Sequence, residues 1–378
     1  MDLIERSKCV ITEEEDLSLL YSFDNFPIFM GCVEHPEDED LFSDMNWWIS
    51  KKSGFIQLNP LIPLDVLYAE SHDSGAVGVL WKEHHRRFAE FISNYSCKSV
   101  LEIGGAHGLL AKNYKSIFSD TDWTIIEPNP EVDSDVDVEV ICGFFDSDFK
   151  FTKHVDGVVH SHVFEHVYQP KEFMEDIGEF LEIGAMHIFS VPRLQVMLEN
   201  GYTNCLNFEH TTYLTEPYID YLLSVNGFSI LEKRYYQDNH SIFYATRKTG
   251  NHYLKYLPRN YEGNKEVFDG FINEHLDIVR KIKDKLDRHK GKVYLFGGHI
   301  FSQYLIGFGL DITKIECIID NDPNKQDKRL YGTNLTVKSP KILKGVDDAA
   351  VILRAGVYNE EIKNDILANI NKTVTFFE

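Results

Sequence analysis

Positive charge is scarce in this chain: 38 lysines and arginines stand against 60 aspartates and glutamates, a formal net charge of −22 over 378 residues. A phosphate backbone is held by a basic face and the counterions it displaces, so this balance argues against a nucleic-acid partner and against an anionic membrane surface. A local basic pocket for a small anionic substrate stays compatible with it. Long apolar runs are also missing. Nothing approaches the ~18–20 residues of a membrane span, and the opening MDLIERSKCVITEEED has no apolar stretch of the signal-peptide type. The six cysteines (Cys9, Cys32, Cys97, Cys142, Cys205, Cys317) are dispersed, without the close pairs of a disulfide framework. A reducing cytoplasm is the expected setting.

What is present is a globular composition, 43% hydrophobic, on a chain longer than one core usually organises, so two or three domains are expected. Residues 1–80 mix aromatic patches such as MNWWIS with the acidic run EHPEDEDLFSD and several Pro and Gly breaks, the pattern of a small irregular β-rich module. Residues 81–250 open with an amphipathic helix, WKEHHRRFAEFISNY, and continue through SVLEIG, WTIIEP, VEVICG and VDGVVHSH. Strands alternating with helices predict an α/β fold with a mainly parallel sheet, and AMHIFSVP, SILEKRYY and SIFYATRK extend it with an antiparallel end. Residues 251–290 carry a helical stripe of Phe268, Ile272, Leu276, Val279, Ile282 and Leu286, read either as a connector or as a surface helix on one domain. Residues 291–378 repeat strand, helix and strand in a second, smaller Rossmann-like unit.

Two glycine turns follow strands, LEIGGAHG and LFGGHI. The first departs from the G-x-G-x-x-G of a dinucleotide site and has an acid, Glu102, before it. It resembles motif I of the class I S-adenosylmethionine-dependent methyltransferases, with Glu102, Gly104, Ala106 and Gly108 at the fixed positions and Gly105 keeping the turn permissive; Ala106 is a departure. A carboxylate there suits the ammonium end of S-adenosylmethionine and would repel a diphosphate. Glu127, with Pro128 after it, ends the next strand where Rossmann-like folds bind ribose hydroxyls. Cys142, Gly143 and Phe144 end the following one as walls for adenine. The resemblance implies that His160 to His162 lie beside the transferred methyl group, and that Glu165 and His166 support the site.

The similarity extends further. In YTNCLNFEHTTYLTEP, Glu209, His210 and Tyr213 occupy the E-H-x-x-Y signature of sugar C-methyltransferases acting on nucleotide-linked deoxysugars, and DNHSIF matches a later turn of that family through His240 and Ser241. The C-terminal IIDNDPNKQ and GTNLTVKSP resemble its C-terminal domain. The resemblance implies substrate contacts from Tyr213, Asn207, His240 and Asp73, and a methyl acceptor among nucleotide-activated or phosphorylated sugars of bacterial surface polysaccharide (capsule or lipopolysaccharide).

The departures are as telling. The family opens with a zinc module of two C-x-x-C pairs; here those positions are Cys9, Thr12, Ser50 and Ser53, so no zinc is expected and the module must rely on packing, including Trp47 and Trp48. A family tyrosine is replaced by Asn207. C-methylation needs an enolate, hence a base and oxyanion stabilisation, whereas O-methylation needs only a hydroxyl deprotonated as it attacks. Losing tyrosines while keeping His210, His162 and His72, with Glu209 beside them, favours O-methylation; sugar C-methylation is the alternative. An NAD-dependent oxidoreductase is the rival of another class. The spacing of HSHVFEH matches no strong zinc signature, so no metal is assigned there. LFGGHI lacks an acid at the motif I position, and with Asp320 ending the next strand a substrate or scaffold role is expected for it rather than a second cofactor.

Overall fold

The computed structural model describes residues 1–68, 78–253 and 256–378. The N-terminal module is built from β1 (Leu17–Pro27), β2 (Cys32–Val33), β3 (Phe42–Ser50), β4 (Ile56–Leu58) and the short helix α1 (Leu64–Leu67). Strands β1, β3 and β4 form an antiparallel sheet in that order. Along β3 the side chains alternate, so Met45, Trp47 and Ile49 point into the core. Three of the positions where the similar family carries zinc thiolates meet in space. Cys9 Sγ lies 3.8 Å from Ser53 Oγ, and Ser53 N donates to Ser50 Oγ at 3.1 Å. Ser50 Oγ in turn donates to Asp16 Oδ2 at 2.8 Å, so hydroxyls and a carboxylate tie these turns together.

The central domain runs α2 (Val79–Ser93), β5 (Ser99–Ile103), α3 (Leu109–Lys115), β6 (Asp122–Glu127), β7 (Glu139–Cys142), β8 (Gly157–Ser161), α4 (Pro170–Phe180), β9 (Met186–Pro192), α5 (Leu194–Glu199), α6 (Glu216–Val225), β10 (Phe228–Tyr236) and β11 (Ser241–Lys248). Its seven strands lie in the order β10-β11-β9-β8-β5-β6-β7, with β11 antiparallel to both its neighbours and every other pairing parallel. Both faces are covered, which is why the strands read as near-continuous apolar runs. Leu101, Ile126, Val158 and Phe189 pack with Phe173, Ile177 and Leu222 on one face. Val100, Ile125, Val159 and Ile188 pack with Phe88, Phe91 and Leu110 on the other. Strand order reverses between β5 and β8, and the crevice at the carboxyl ends of such a switch point is where α/β sheets bind ligands.

Helix α7 (Tyr261–Arg288) spans 28 residues and leads to β12 (Val293–Phe296), α8 (Ile300–Gly307), β13 (Ile315–Ile319), β14 (Arg329–Leu330), β15 (Val337–Lys338), β16 (Ala350–Leu353), α9 (Asn359–Asp365) and β17 (Thr375–Phe377). The second sheet is parallel throughout, in the order β15-β13-β12-β16-β17. On α7 the stripe differs from expectation at one position: Leu276 is 40% exposed, and Phe271 and His275 are buried beside Phe268, Ile272 and Val279. Phe268, Phe271, Ile272 and Val279 share one core with Trp47 of β3 and with Leu295 and Ile352 of the second sheet. Each such large side chain taken from water is worth ~1.5–3 kcal/mol.

The acidic run of the N-terminal module also clasps the C-terminal unit. Asp40 binds Arg329 in a fork, Oδ2 to Nη1 at 2.6 Å and Oδ1 to Nη2 at 2.8 Å, beside the antiparallel pairing of β2 with β14. The Arg329 pair and the Gly332 amide hold the Asp40 carboxyl below its ordinary range despite its burial. At the second glycine turn, Asp320 is occupied by protein donors: the Gly298 and Asp322 amides at 2.9 Å each and Lys325 Nζ at 3.3 Å. Cys32 covers the turn, its Sγ lying 3.3 Å from Gly298 O, and a side chain at Gly298 would meet that sulfur at 2.6 Å.

Candidate active site

One large cavity opens at the carboxyl ends of β5, β6 and β8. Its volume is about 1280 Å³, above the ~300–1,000 Å³ common for a single small-molecule site, so it has room for two ligands side by side. One arm is lined by Glu102, Gly104, Gly105, Ala106, Glu127, Pro128, Gly143 and Phe144. The other is lined by His162, Glu165, His166, Tyr202, Glu209, His210 and His240. The C-terminal unit adds Phe301, Leu305 and Arg354 to the lining of the same cavity. Arg354 is the one lysine or arginine among the described lining residues.

The first glycine turn is bare because its surroundings leave no space. Gly104 has φ +75°, and a Cβ there would sit 2.5 Å from Val163 Cγ2; at Gly105 it would sit 2.6 Å from Ile125 Cγ2. Ala106 has φ +37°, in the region that favours glycine. Glu102 lies beneath the turn, accepting from Trp123 Nε1 at 2.7 Å, and its burial pushes the carboxyl up to about 8. Glu127 faces the cavity from the end of β6, its two oxygens accepting from the Ala106 amide at 3.3 Å and the Asn129 amide at 3.2 Å. Bare backbone, one buried acid and one accessible acid are what the adenosyl and amino-acid ends of S-adenosylmethionine require, so the residues fit that group.

The second arm is dense in imidazole. His162 Nδ1 lies 3.1 Å from Glu165 Oε1, and its Nε2 lies 2.8 Å from Ser241 Oγ. Ser241 Oγ is also 2.5 Å from His240 Nδ1. His162 holds φ +54°, a costly backbone state for a side chain with a Cβ. Burial lowers the pKa of His162 far below the usual imidazole value, lowers that of His210, and brings that of His240 to about 4. The same burial raises the Glu165 carboxyl. Among the described residues, two sets of three side chains bring ligand atoms within 4.8 Å of one another, His84 with His162 and His240, and Glu165 with His166 and His210.

Several residues expected at the site lie elsewhere. His160 points into the core, its Nε2 3.0 Å from His187 Nε2 and its ring stacked on Phe189, because its strand position faces α4. Tyr213 is buried off the cavity, its backbone N bonded to Ile56 O at 2.9 Å. Asn207 also stays off the cavity lining, and it acts through backbone: its Oδ1 accepts from the Glu209 and His210 amides at 2.8 Å each, fixing their turn. Gly108, at φ +70°, caps α3 under Val132 rather than lining the cavity. His72 and Asp73 fall outside the described residues. Sequence reading had no signal for Arg354 or Tyr202, whereas Glu165 and His166 were visible beside His162 through the resemblance of the VFEH segment.

Residues 79–233, about two-fifths of the chain, match the family model described as a methyltransferase domain. No curated protein matches the chain. Solved structures similar to it include the plantazolicin methyltransferase BpumL in complex with SAH, at 13% identity over 45% of this chain and 84% of that one, with a TM-score of 0.36. An O-methyltransferase family protein from Burkholderia thailandensis gives 13% identity over 46% and 57%, with a TM-score of 0.37. The methyltransferase SibL in its apo form gives 13% over 45% and 56%, again at 0.37. The family match, the doubly wound sheet and the acid-flanked glycine turn together make residues 79–233 a class I S-adenosylmethionine-dependent methyltransferase domain.

Proposed function

We propose that the chain transfers the methyl group of S-adenosylmethionine to a hydroxyl of a nucleotide-activated or otherwise phosphorylated sugar, a reaction suited to bacterial surface polysaccharide synthesis. The observation that carries this reading is one cavity with two chemically distinct sets of lining residues, one acid-flanked and glycine-walled, the other imidazole-rich, with Arg354 in the same lining. Glu127 takes the ribose hydroxyls. Glu102, ionised once a cation approaches, takes the ammonium end. When bound, S-adenosylmethionine would supply an electrophilic methyl carbon to the acceptor oxygen, its sulfur being the leaving group that keeps the electron pair.

The chain's own work is to move the acceptor proton. His240 receives it from the hydroxyl at the cavity wall. The chain His240–Ser241–His162 then passes it inward, leaving imidazolium charge on His162 beside Glu165. Arg354 offers a guanidinium to a phosphate. C-methylation is the less favoured reading, since Tyr213 and Asn207 stand off the cavity and do not serve an enolate oxygen.

The test is product analysis with methyl-labelled S-adenosylmethionine and a panel of nucleotide sugars. A labelled carbon at the downfield shift of a methyl ether supports the reading. A shift typical of a methyl on carbon replaces it with C-methylation, and absence of transfer to every sugar removes the substrate class.

A further inference from the structure

Glu165 poses a problem that the proton path does not solve. It is 1% exposed, lines the cavity, and neither carboxylate oxygen has a hydrogen-bond partner among the described residues; His162 Nδ1, 3.1 Å from Oε1, is at ion-pair distance without hydrogen-bond alignment. A carboxylate taken from water without partners costs several kcal/mol or gives up its charge. Yet the groups gathered round it are imidazoles that can serve as ligands. His166 follows it on the same 3-10 turn, Phe164–His166, and His210 arrives from a loop 45 positions on. One atom from each of Glu165, His166 and His210 lies within 4.8 Å of the others, and all three line the cavity.

The outer contacts of this trio orient it. His210 Nδ1 lies 3.3 Å from the Cys205 carbonyl, which fixes the proton there and leaves Nε2 with its lone pair. His166 Nδ1 lies 3.9 Å from Glu209 Oε2, and the His166 and His210 rings meet edge to face at 4.8 Å. A carbonyl or carboxylate behind each imidazole is the usual support of a metal-ligating histidine. The Asn207 side chain pins the backbone that carries both Glu209 and His210.

We infer that Glu165, His166 and His210 hold one divalent cation on the floor of the acceptor arm. Two imidazoles and a carboxylate select a first-row ion such as Zn²⁺, Co²⁺ or Mn²⁺ over Mg²⁺ or Ca²⁺, which prefer oxygen ligands. Three protein ligands leave positions open toward the cavity, as catalytic sites do. There the ion binds the acceptor hydroxyl and lowers its pKa, and the proton it sheds leaves by the His240–Ser241–His162 path. Metal binding stands on these residues alone; the role in methyl transfer rests on the function proposed above.

The protein is stripped with chelator and titrated with Co²⁺, following visible absorption, with metal content measured after dialysis and Mg²⁺ as the comparison ion. The expected result is one Co²⁺ per chain, displaced by Zn²⁺ and not by Mg²⁺, with Glu165→Gln and His210→Asn each weakening binding by ~10- to 100-fold or more. His84→Ala, in the neighbouring histidine trio, is expected to leave it within about twofold. Binding of S-adenosylhomocysteine, measured by calorimetry on every variant, reports that each is folded and tests the methyltransferase reading separately. Stripped wild-type protein that binds S-adenosylhomocysteine but no Co²⁺ at 100 µM overturns the metal site, as does binding lost in His84→Ala and kept in Glu165→Gln. Should Glu165→Gln fail to bind S-adenosylhomocysteine, His210→Asn decides by the same criteria.

Discussion

His162 places its two ring nitrogens between unlike neighbours, Nδ1 3.1 Å from the Glu165 carboxylate and Nε2 2.8 Å from the Ser241 hydroxyl. A proton arriving on His162 thus meets a carboxyl group on one side, while the Ser241 hydroxyl on the other side connects it to His240. His162→Ala is expected to lower kcat by ~10²–10⁴-fold with little change in the affinity for S-adenosylmethionine. Because burial depresses the imidazoles of His162 and His240, the neutral base persists to low pH, and the acid limb of kcat/KM is expected below the usual imidazole value of 6.5. An acid limb at or above pH 7 in steady-state rates would contradict this assignment.

Glu102 ties cofactor binding to a proton. With its carboxyl raised to about 8, the free protein at pH 7 carries it largely protonated. An ammonium group beside it favours the carboxylate, so binding is expected to release up to one proton. Calorimetry in two buffers of different ionisation enthalpy measures it, and Glu102→Gln is expected to abolish the release. The same group shapes stability. Between pH 4.5 and 8 the folded chain holds a proton that the unfolded chain gives up, so its contribution is fully present below 4.5 and declines as pH rises through 8. Tm should fall less steeply over that range in Glu102→Gln.

Ala106 is strained where the resembling motif has glycine. Its φ of +37° costs on the order of 1–2 kcal/mol for a residue with a Cβ, against ~0.4–1 kcal/mol of extra unfolded-state entropy brought by glycine. Ala106→Gly is expected to stabilise the fold by roughly 0.5–1 kcal/mol in denaturant titration. Destabilisation of that size would show that the alanine methyl has a packing role.

Arg354 separates the two arms functionally. Arg354→Ala is expected to raise KM for a phosphate-bearing acceptor by ~10-fold or more, the loss of one charge-assisted contact, while the Kd of S-adenosylhomocysteine stays unchanged. Equal loss for a phosphorylated and an unphosphorylated acceptor would remove Arg354 from phosphate recognition.

The fold was legible where periodicity is local. The apolar strands VLEI and VVHS are buried at nearly every position, as short continuous runs in a sheet covered on both faces must be, and the acids Glu102 and Glu127 stand close to strand ends that pattern alone locates. The site was less legible where residues converge from afar. Glu165 and His166 could be seen as neighbours, but their third partner, His210, comes from 45 positions away, and Arg354 reaches the same cavity from a different sheet. His160 misled because a strand points successive side chains to opposite faces: His160 faces the core, and His162 two positions on escapes that alternation only by turning its backbone to φ +54°. Leu276 failed because the buried stripe of α7 keeps to one side, through Phe268, Phe271, Ile272, His275, Val279 and Ile282, and Leu276 lies at the edge of that stripe.

The most direct measurement is calorimetric titration of the full chain with S-adenosylhomocysteine and, separately, with NAD. The expected result is one S-adenosylhomocysteine per chain, weakened ~10- to 100-fold by Glu127→Ala, where one or two hydrogen bonds to a charged group are lost, and no heat from NAD. Saturable NAD binding with no response to S-adenosylhomocysteine would contradict the account.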